Sequence, residues 1–214
     1  VADVGAMGFE QTLLAHDGLT AVRSLVLQVR APQLVLAVSV KALPQYRSPA
    51  DLRRRAIGVC SLGSMAHAMA CMALAQAGVD TDDVRFVPVG DGTQALAALR
   101  SGQVQALCHA DPVMSRLERR SEVRVVSDAR SLAGTHALFG GTMPGSCLVA
   151  PLSFLQKRPA EAQALAYGVV HALKWLQTAA PADIVKTVPP DESMGDRSLY
   201  LAALARVREA ISPD

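Results

Sequence analysis

Short apolar runs and longer amphipathic segments alternate along most of this chain. Residues 1–6 predict a short buried strand ending at Gly5, and residues 9–16 predict a helix. Residues 22–29 and 34–40 are rich in Val and Leu and predict two strands, broken at Arg30-Ala31-Pro32. A polar, proline-punctuated stretch at 43–49 is a candidate boundary between two lobes. Ser48 and Pro49 then open a short helix as N-cap and first helical residue. From there strands and helices alternate: strand 56–60, helix 64–77 stopped by Gly78, strand 84–87, helix 93–101 stopped by Gly102, strand 104–109, helix 112–119 and strand 123–127. Such alternation predicts a mainly parallel sheet with helices on both faces. Residues 138–146 are glycine-rich, 147–150 predict a short strand, and helices over 151–157, 160–178, 181–188 and 196–210 follow. In the longest of these, Leu165, Val169, Ala172, Leu173 and Leu176 share one face. The expected layout is a discontinuous first lobe, 1–41 plus 131–214, around a second α/β lobe over 42–130.

Composition narrows the class. Half of the 214 residues are hydrophobic but only 4% are aromatic, so Ala, Leu and Val must build the core. The net charge is +2 and the basic residues are scattered, which excludes the electrostatic footprint of a nucleic-acid binder. The run Arg53-Arg54-Arg55 reads as the solvated end of a helix. No apolar run reaches the roughly 18 residues that a membrane span needs. No signal peptide is visible, and the start at Val1 reads as that of a fragment or a processed product. Cys60, Cys71, Cys108 and Cys147 sit in apolar neighbourhoods without a Cys-x-x-Cys pair, and are expected as small buried thiols.

Candidate chemistry collects at the carboxyl ends of the strands, where open α/β sheets bind ligands. The turn Ser61-Leu62-Gly63 leads into a helix opening at Ser64, whose unpaired amides and dipole suit an anionic group; the same residues also describe an ordinary turn with Ser64 as N-cap. Gly5, Ala6 and Met7 follow the first strand, and Leu27 and Gln28 the second. Gly90, Asp91, Gly92 and Thr93 follow the strand at 84–87, and His109, Ala110 and Asp111 the strand at 104–109. Asp91 and Asp111 form either a carboxylate pair across neighbouring strand ends or caps of the helices that follow. His67 and Cys71, one helical turn apart, could share a metal with Cys108 or His109, but nothing supplies a third ligand at a telling spacing. No metal, cofactor or catalytic residue is therefore expected. The turn at Ser64 lacks the flanking glycines of a nucleophile elbow, and no P-loop, HExxH or GxGxxG after a strand is present.

These residues carry a resemblance. Ala2-Asp3-Val4-Gly5-Ala6, Ile57-Gly58-Val59 through Gly63-Ser64-Met65-Ala66-His67, residues 74–83, residues 95–106 leading to Asp111-Pro112, and Ala172-Leu173-Lys174-Trp175-Leu176-Gln177 resemble the solute-binding proteins of ABC importers. The branch is the nitrate/sulfonate/taurine family, with relatives in thiamine-pyrimidine synthesis. The resemblance implies an α/β, two-lobed periplasmic-binding-protein fold of type II, its first lobe incomplete at the N-terminus because the usual leading βαβ unit is absent. It implies capture of a small anionic solute, delivery to a membrane permease, no chemistry on the solute, and a periplasmic or lipid-anchored location. By position it places Ser61, Gly63, Ser64 and His67 along the cleft, Asp111 near the hinge, and Gly5 and Ala6 opposite. Cys60 and Leu62 stand where relatives often carry a hydroxyl residue and Pro, which leaves the ligand open. A thiamine-pyrimidine-precursor binding or synthesis protein and the ligand-sensing domain of a regulator are the alternatives on the same fold.

Overall fold

The structure, a computed structural model, describes residues 3–16 and 21–212. Among the described residues there are two sheets, which share no strand. The smaller is built from β1 (Gly5–Gly8), β2 (Val22–Val29) and β8 (Ser146–Pro151) in the order β1-β8-β2, with β8 antiparallel to both neighbours. The larger contains β3 (Leu34–Ser39), β4 (Ala56–Val59), β5 (Arg85–Pro88), β6 (Ala106–Ala110) and β7 (Val123–Asp128), in the order β5-β4-β6-β3-β7.

The large sheet is mixed, not mainly parallel. β4 pairs parallel with β5 and β6, while β3 is antiparallel to both β6 and β7. The chain enters this sheet along β3 and reverses through residues 40–55, so every strand after it runs the other way. All six residues of β3 are buried, because a central strand covered on both faces has no solvent side. Alternate residues serve two cores. Leu36, Val38, Ile57, Val59, Ala106 and Cys108 pack with α2 (Met65–Gln76) on one face. Val35, Ala37 and Leu107 pack on the other with α3 (Thr93–Ser101) and α4 (Val113–Arg119). Gly78 (φ +65°) and Gly102 (φ +81°) terminate α2 and α3 in the left-handed region that glycine adopts freely.

The expected boundary at 41/42 does not match the strand pairing. β3 lies in the large sheet, and Leu43, within the supposed linker, is buried in its core. The chain crosses between the sheets earlier, at residues 30–33, where the break at Arg30-Ala31-Pro32 ends β2. The helix α5 (Leu132–Phe139), which the sequence pattern does not reveal, also belongs with the large sheet, for Leu138 is part of the same buried core as Leu36. Residues 140–145 carry the chain back to β8. The amide of Phe9 donates to the Gly145 carbonyl (2.9 Å), and the Gly145 amide donates to the Val29 carbonyl (2.9 Å). Backbone approaches so closely here that a Cβ on Gly145 would collide with the Ala31 carbonyl oxygen.

Around the small sheet lie α1 (Phe9–His16), α6 (Leu152–Lys157) and α7 (Pro159–Thr178), with a small core of Ala150, Phe154 and Ala162. The last helices, α8 (Pro181–Thr187) and α9 (Arg197–Val207), lead back to the large sheet, where α9 packs against α4. Among the described residues no helix is long and apolar enough to cross a membrane. Cys108 and Cys147 are buried as expected, whereas Cys60 and Cys71 are only half-buried.

Candidate functional site

The β4–α2 turn is built by small side chains. Gly63 has φ +81°, which turns the chain sharply before Ser64. The Ser64 hydroxyl donates to the Ser61 carbonyl (2.7 Å) and accepts from the His67 amide (3.4 Å), so Ser64 is the N-cap of α2. The Gly63 amide donates to His67 Nδ1 (3.0 Å), which fixes the neutral tautomer with its proton on Nε2. The ring of His67 meets Phe86 edge-on, centroids 4.4 Å apart. A carboxylate already stands at this helix end: Glu10 Oε1 accepts from the Met65 amide (3.2 Å), and Gln11 Nε2 donates to the Gly63 carbonyl (3.4 Å). Glu10 Oε2 is buried with no hydrogen-bond partner, and a Cβ on Gly8 would collide with this carboxylate. The first turn of α1 thus docks a negative charge on the positive end of α2, across the gap between the sheets.

The neighbouring strand ends form a second cluster. Gly90 (φ +63°) and Gly92 (φ +58°) shape the loop before α3. His109, 4% exposed, places Nε2 3.1 Å from the Gly90 carbonyl and 3.7 Å from Asp91 Oδ1, and Nδ1 3.2 Å from the Ala110 carbonyl. Cys60 joins them at the end of β4, and the ligand atoms of Cys60, Asp91 and His109 all lie within 4.8 Å of one another. Burial, then the neighbouring Asp91 charge, pushes the Cys60 thiol up to about 11. A cavity of about 700 Å³ opens beside this cluster, walled by Gly92, Thr93, Asp111 and residues 190–195. Its acids are Asp91, Asp111, Asp191 and Glu192. The 190–195 loop is tied to α4 by a hydrogen bond from the Arg116 guanidinium to the Met194 carbonyl (2.8 Å).

Asp111 has structural duties. Its Oδ1 accepts from the Ser115 amide (2.8 Å) and so caps α4. Its other oxygen is 3.4 Å from Arg130, a 6% exposed guanidinium that also binds Asp128 (2.6 Å) and Glu118 (2.8 Å). Burial pushes the Asp128 carboxyl up, but the Arg130 hydrogen bonds and charge outweigh it and leave the group below its ordinary value.

The structure therefore brings Ser61, Gly63, Ser64 and His67 into one cluster and Asp91 and Asp111 to the walls of one cavity. Gly5 and Ala6 lie elsewhere, because β1 starts at Gly5 where the sequence pattern ends it. They pair with Val149 and Leu148, and the strand continues to Gly8, so the segment that reaches α2 is 9–11. The expected strand residues 1 and 2 lie outside the described residues. Gln28 sits in a bulged stretch of β2, its carbonyl accepting from the Ser212 amide (2.9 Å). Sequence reasoning missed Glu10, which reads as a routine acid in the first turn of a helix. It also missed the partnership of Cys60 with His109, which depends on the β4–β6 pairing, and the 190–195 wall, which falls between the expected helices at 181–188 and 196–210.

This architecture, with crossings between two sheets and loops gathered at strand ends, is that of the periplasmic binding proteins. Over its full length the chain matches a solved protein of Bordetella bronchiseptica RB50 with TM-score 0.93 and 42% identity, covering 67% of that chain. It matches the alkanesulfonate-binding protein SsuA from Xanthomonas axonopodis pv. citri, solved bound to MOPS, with TM-score 0.75 and 21% identity over 99% of this chain and 67% of that one. The desulfurization enzyme DSZB shares the fold at TM-score 0.60 and 20% identity, over 100% of this chain and 72% of that one. This chain thus spans about two thirds of the length of the first two. A sequence search among curated proteins finds no match. The pattern of the NMT1-like family matches residues 11–188, and the chain belongs to that family.

Proposed function

We propose that this chain is the solute-binding component of an ABC importer. It captures a small anionic solute (a sulfonate, nitrate, taurine or related organic acid) between two lobes and hands it to a membrane permease on the periplasmic side. The lobes are one around the small sheet and one around the large sheet, hinged where residues 30–33 and 140–145 cross. The single observation that carries the reading is that the ends of β4, β5 and β6 and the start of α2 gather on the edge that the first turn of α1 touches. The α2 N-terminus binds a carboxylate, Glu10, and the same donors suit a solute anion. Ser61, Gly63, Ser64 and His67 form one wall, with Asp91 and Asp111 further along; Gly5, Ala6 and Gln28 act only by supporting the segments opposite. The Cys60 thiol, held protonated to about 11, is a poor nucleophile, which favours binding over catalysis.

Thermal-shift screening against alkanesulfonates, taurine, nitrate and aromatic carboxylates tests this. A solute at ~100 times its Kd adds ~2.7 kcal/mol of stability, a readily measured rise in melting temperature. Ser64→Ala and His67→Ala weaken the response, and Glu10→Gln, which removes the competing charge while keeping the shape, strengthens it. Silence from every solute class would end the reading, and a response indifferent to all three substitutions would move the site away from α2.

A further inference from the structure

We propose that Cys60, Asp91 and His109 bind a divalent metal ion of the zinc class, at the ends of β4 and β6 and in the loop before α3. Three ligand atoms of different kinds, Sγ, a carboxylate oxygen and an imidazole nitrogen, lie within 4.8 Å of one another. That spread is close to the separation of ligands sharing a metal at 2.0–2.3 Å, and the exposed Asp91 side chain is free to close the remainder. Thiolate, imidazole and carboxylate are the donors of zinc sites, and three protein ligands leave a fourth position open.

The surroundings favour a cation. His109 lies between two carbonyl oxygens, Gly90 at Nε2 and Ala110 at Nδ1. A neutral imidazole has one N–H, so one contact sets a lone pair against an oxygen. With the proton on Nδ1 and donated to the Ala110 carbonyl, the Nε2 lone pair faces the Gly90 carbonyl oxygen with Asp91 Oδ1 3.7 Å away, and a cation held between Nε2 and these oxygens resolves the clash. The adjoining cavity is lined by Asp91, Asp111, Asp191 and Glu192, of which Asp111 is paired with Arg130. An acid-lined cavity repels a bare anion, and a bound dication reverses that locally. Binding takes Cys60 from thiol to thiolate: the S–H bond breaks, the S–metal bond forms, and one proton leaves to solvent.

The test uses the purified chain, stripped with chelator and titrated with Co²⁺ and then Zn²⁺ alone, without solute, so its outcome is separate from that of the transport reading. One equivalent of Co²⁺ gives a sulfur-to-metal charge-transfer absorption that one equivalent of Zn²⁺ abolishes. Cys60→Ser removes the absorption, Cys71→Ser keeps it, and Asp91→Asn weakens Zn²⁺ by about 10-fold or more. His109→Gln weakens it as well; should this buried variant fail to fold, Cys60→Ser and Asp91→Asn decide. Absence of stoichiometric binding overturns the proposal. A thiolate absorption that survives Cys60→Ser, or an affinity indifferent to Asp91→Asn, overturns it too.

Discussion

Arg130 shows how one side chain holds several segments. Its guanidinium gathers Asp111 from the β6–α4 turn, Glu118 from α4 and Asp128 from the end of β7, and Glu118 is joined in turn by Arg206 of α9 (2.7 Å). Arg130→Met leaves these carboxylates facing one another with little water, and costs about 3–5 kcal/mol, read as a lowered urea midpoint. Arg119→Ala, which removes a mostly exposed partner of Asp196, costs under ~1 kcal/mol by the same measurement. Equal losses from the two would refute this account. The sequence marked Asp111 as a strand-end carboxylate with two uses, and its capping of Ser115 is one of them. Arg130 was not legible, since its partners are spread over 111–128 and meet only when β6 and β7 flank β3.

Elements with strong punctuation were the most legible. α3 runs from Thr93 to Ser101 as the pattern predicts, because Gly102 and the small residues of its buried face leave little choice. α5 was hidden because Gly134 and Thr135 weaken its helical signal. Its caps are nevertheless written in the chain: Ser131 accepts from the Gly134 amide (3.0 Å), and Gly140 (φ +74°) ends it. Gly134 is demanded by packing, as a Cβ there would collide with the Asp128 carbonyl oxygen. Gly134→Ala should therefore destabilise the protein by about 1–3 kcal/mol, although alanine is the better helix former. A melting temperature that stays level or rises would show that α5 can shift aside. β1 was displaced along the sequence by several residues, because a four-residue strand fixes its register through its partner β8 rather than through its own pattern.

At the scale of the molecule, fold class was legible, and the division between sheets was not. A proline-rich linker at 43–49 looks like a boundary, yet the burial of β3 on both faces draws the crossing back to residues 30–33. That crossing, the return at 140–145 and the start of α1 converge on Gly145. Gly145→Ala wedges them apart, so hydrogen exchange should quicken at the amides of Phe9 and Gly145 while those of β6 stay protected. Uniform protection across both would mean that the crossing does not couple the sheets.

The carboxylate of Glu10 gives the N-terminal end of α2 an occupant of its own. In the importer proposed above, a solute anion arriving at α2 would not fill a vacancy; it would enter an exchange with a tethered competitor. Its measured affinity is then the difference between two attachments, and its departure is hastened by a rival that never diffuses away. Such an arrangement favours release over retention, as the proposed role of handing a solute to a permease requires.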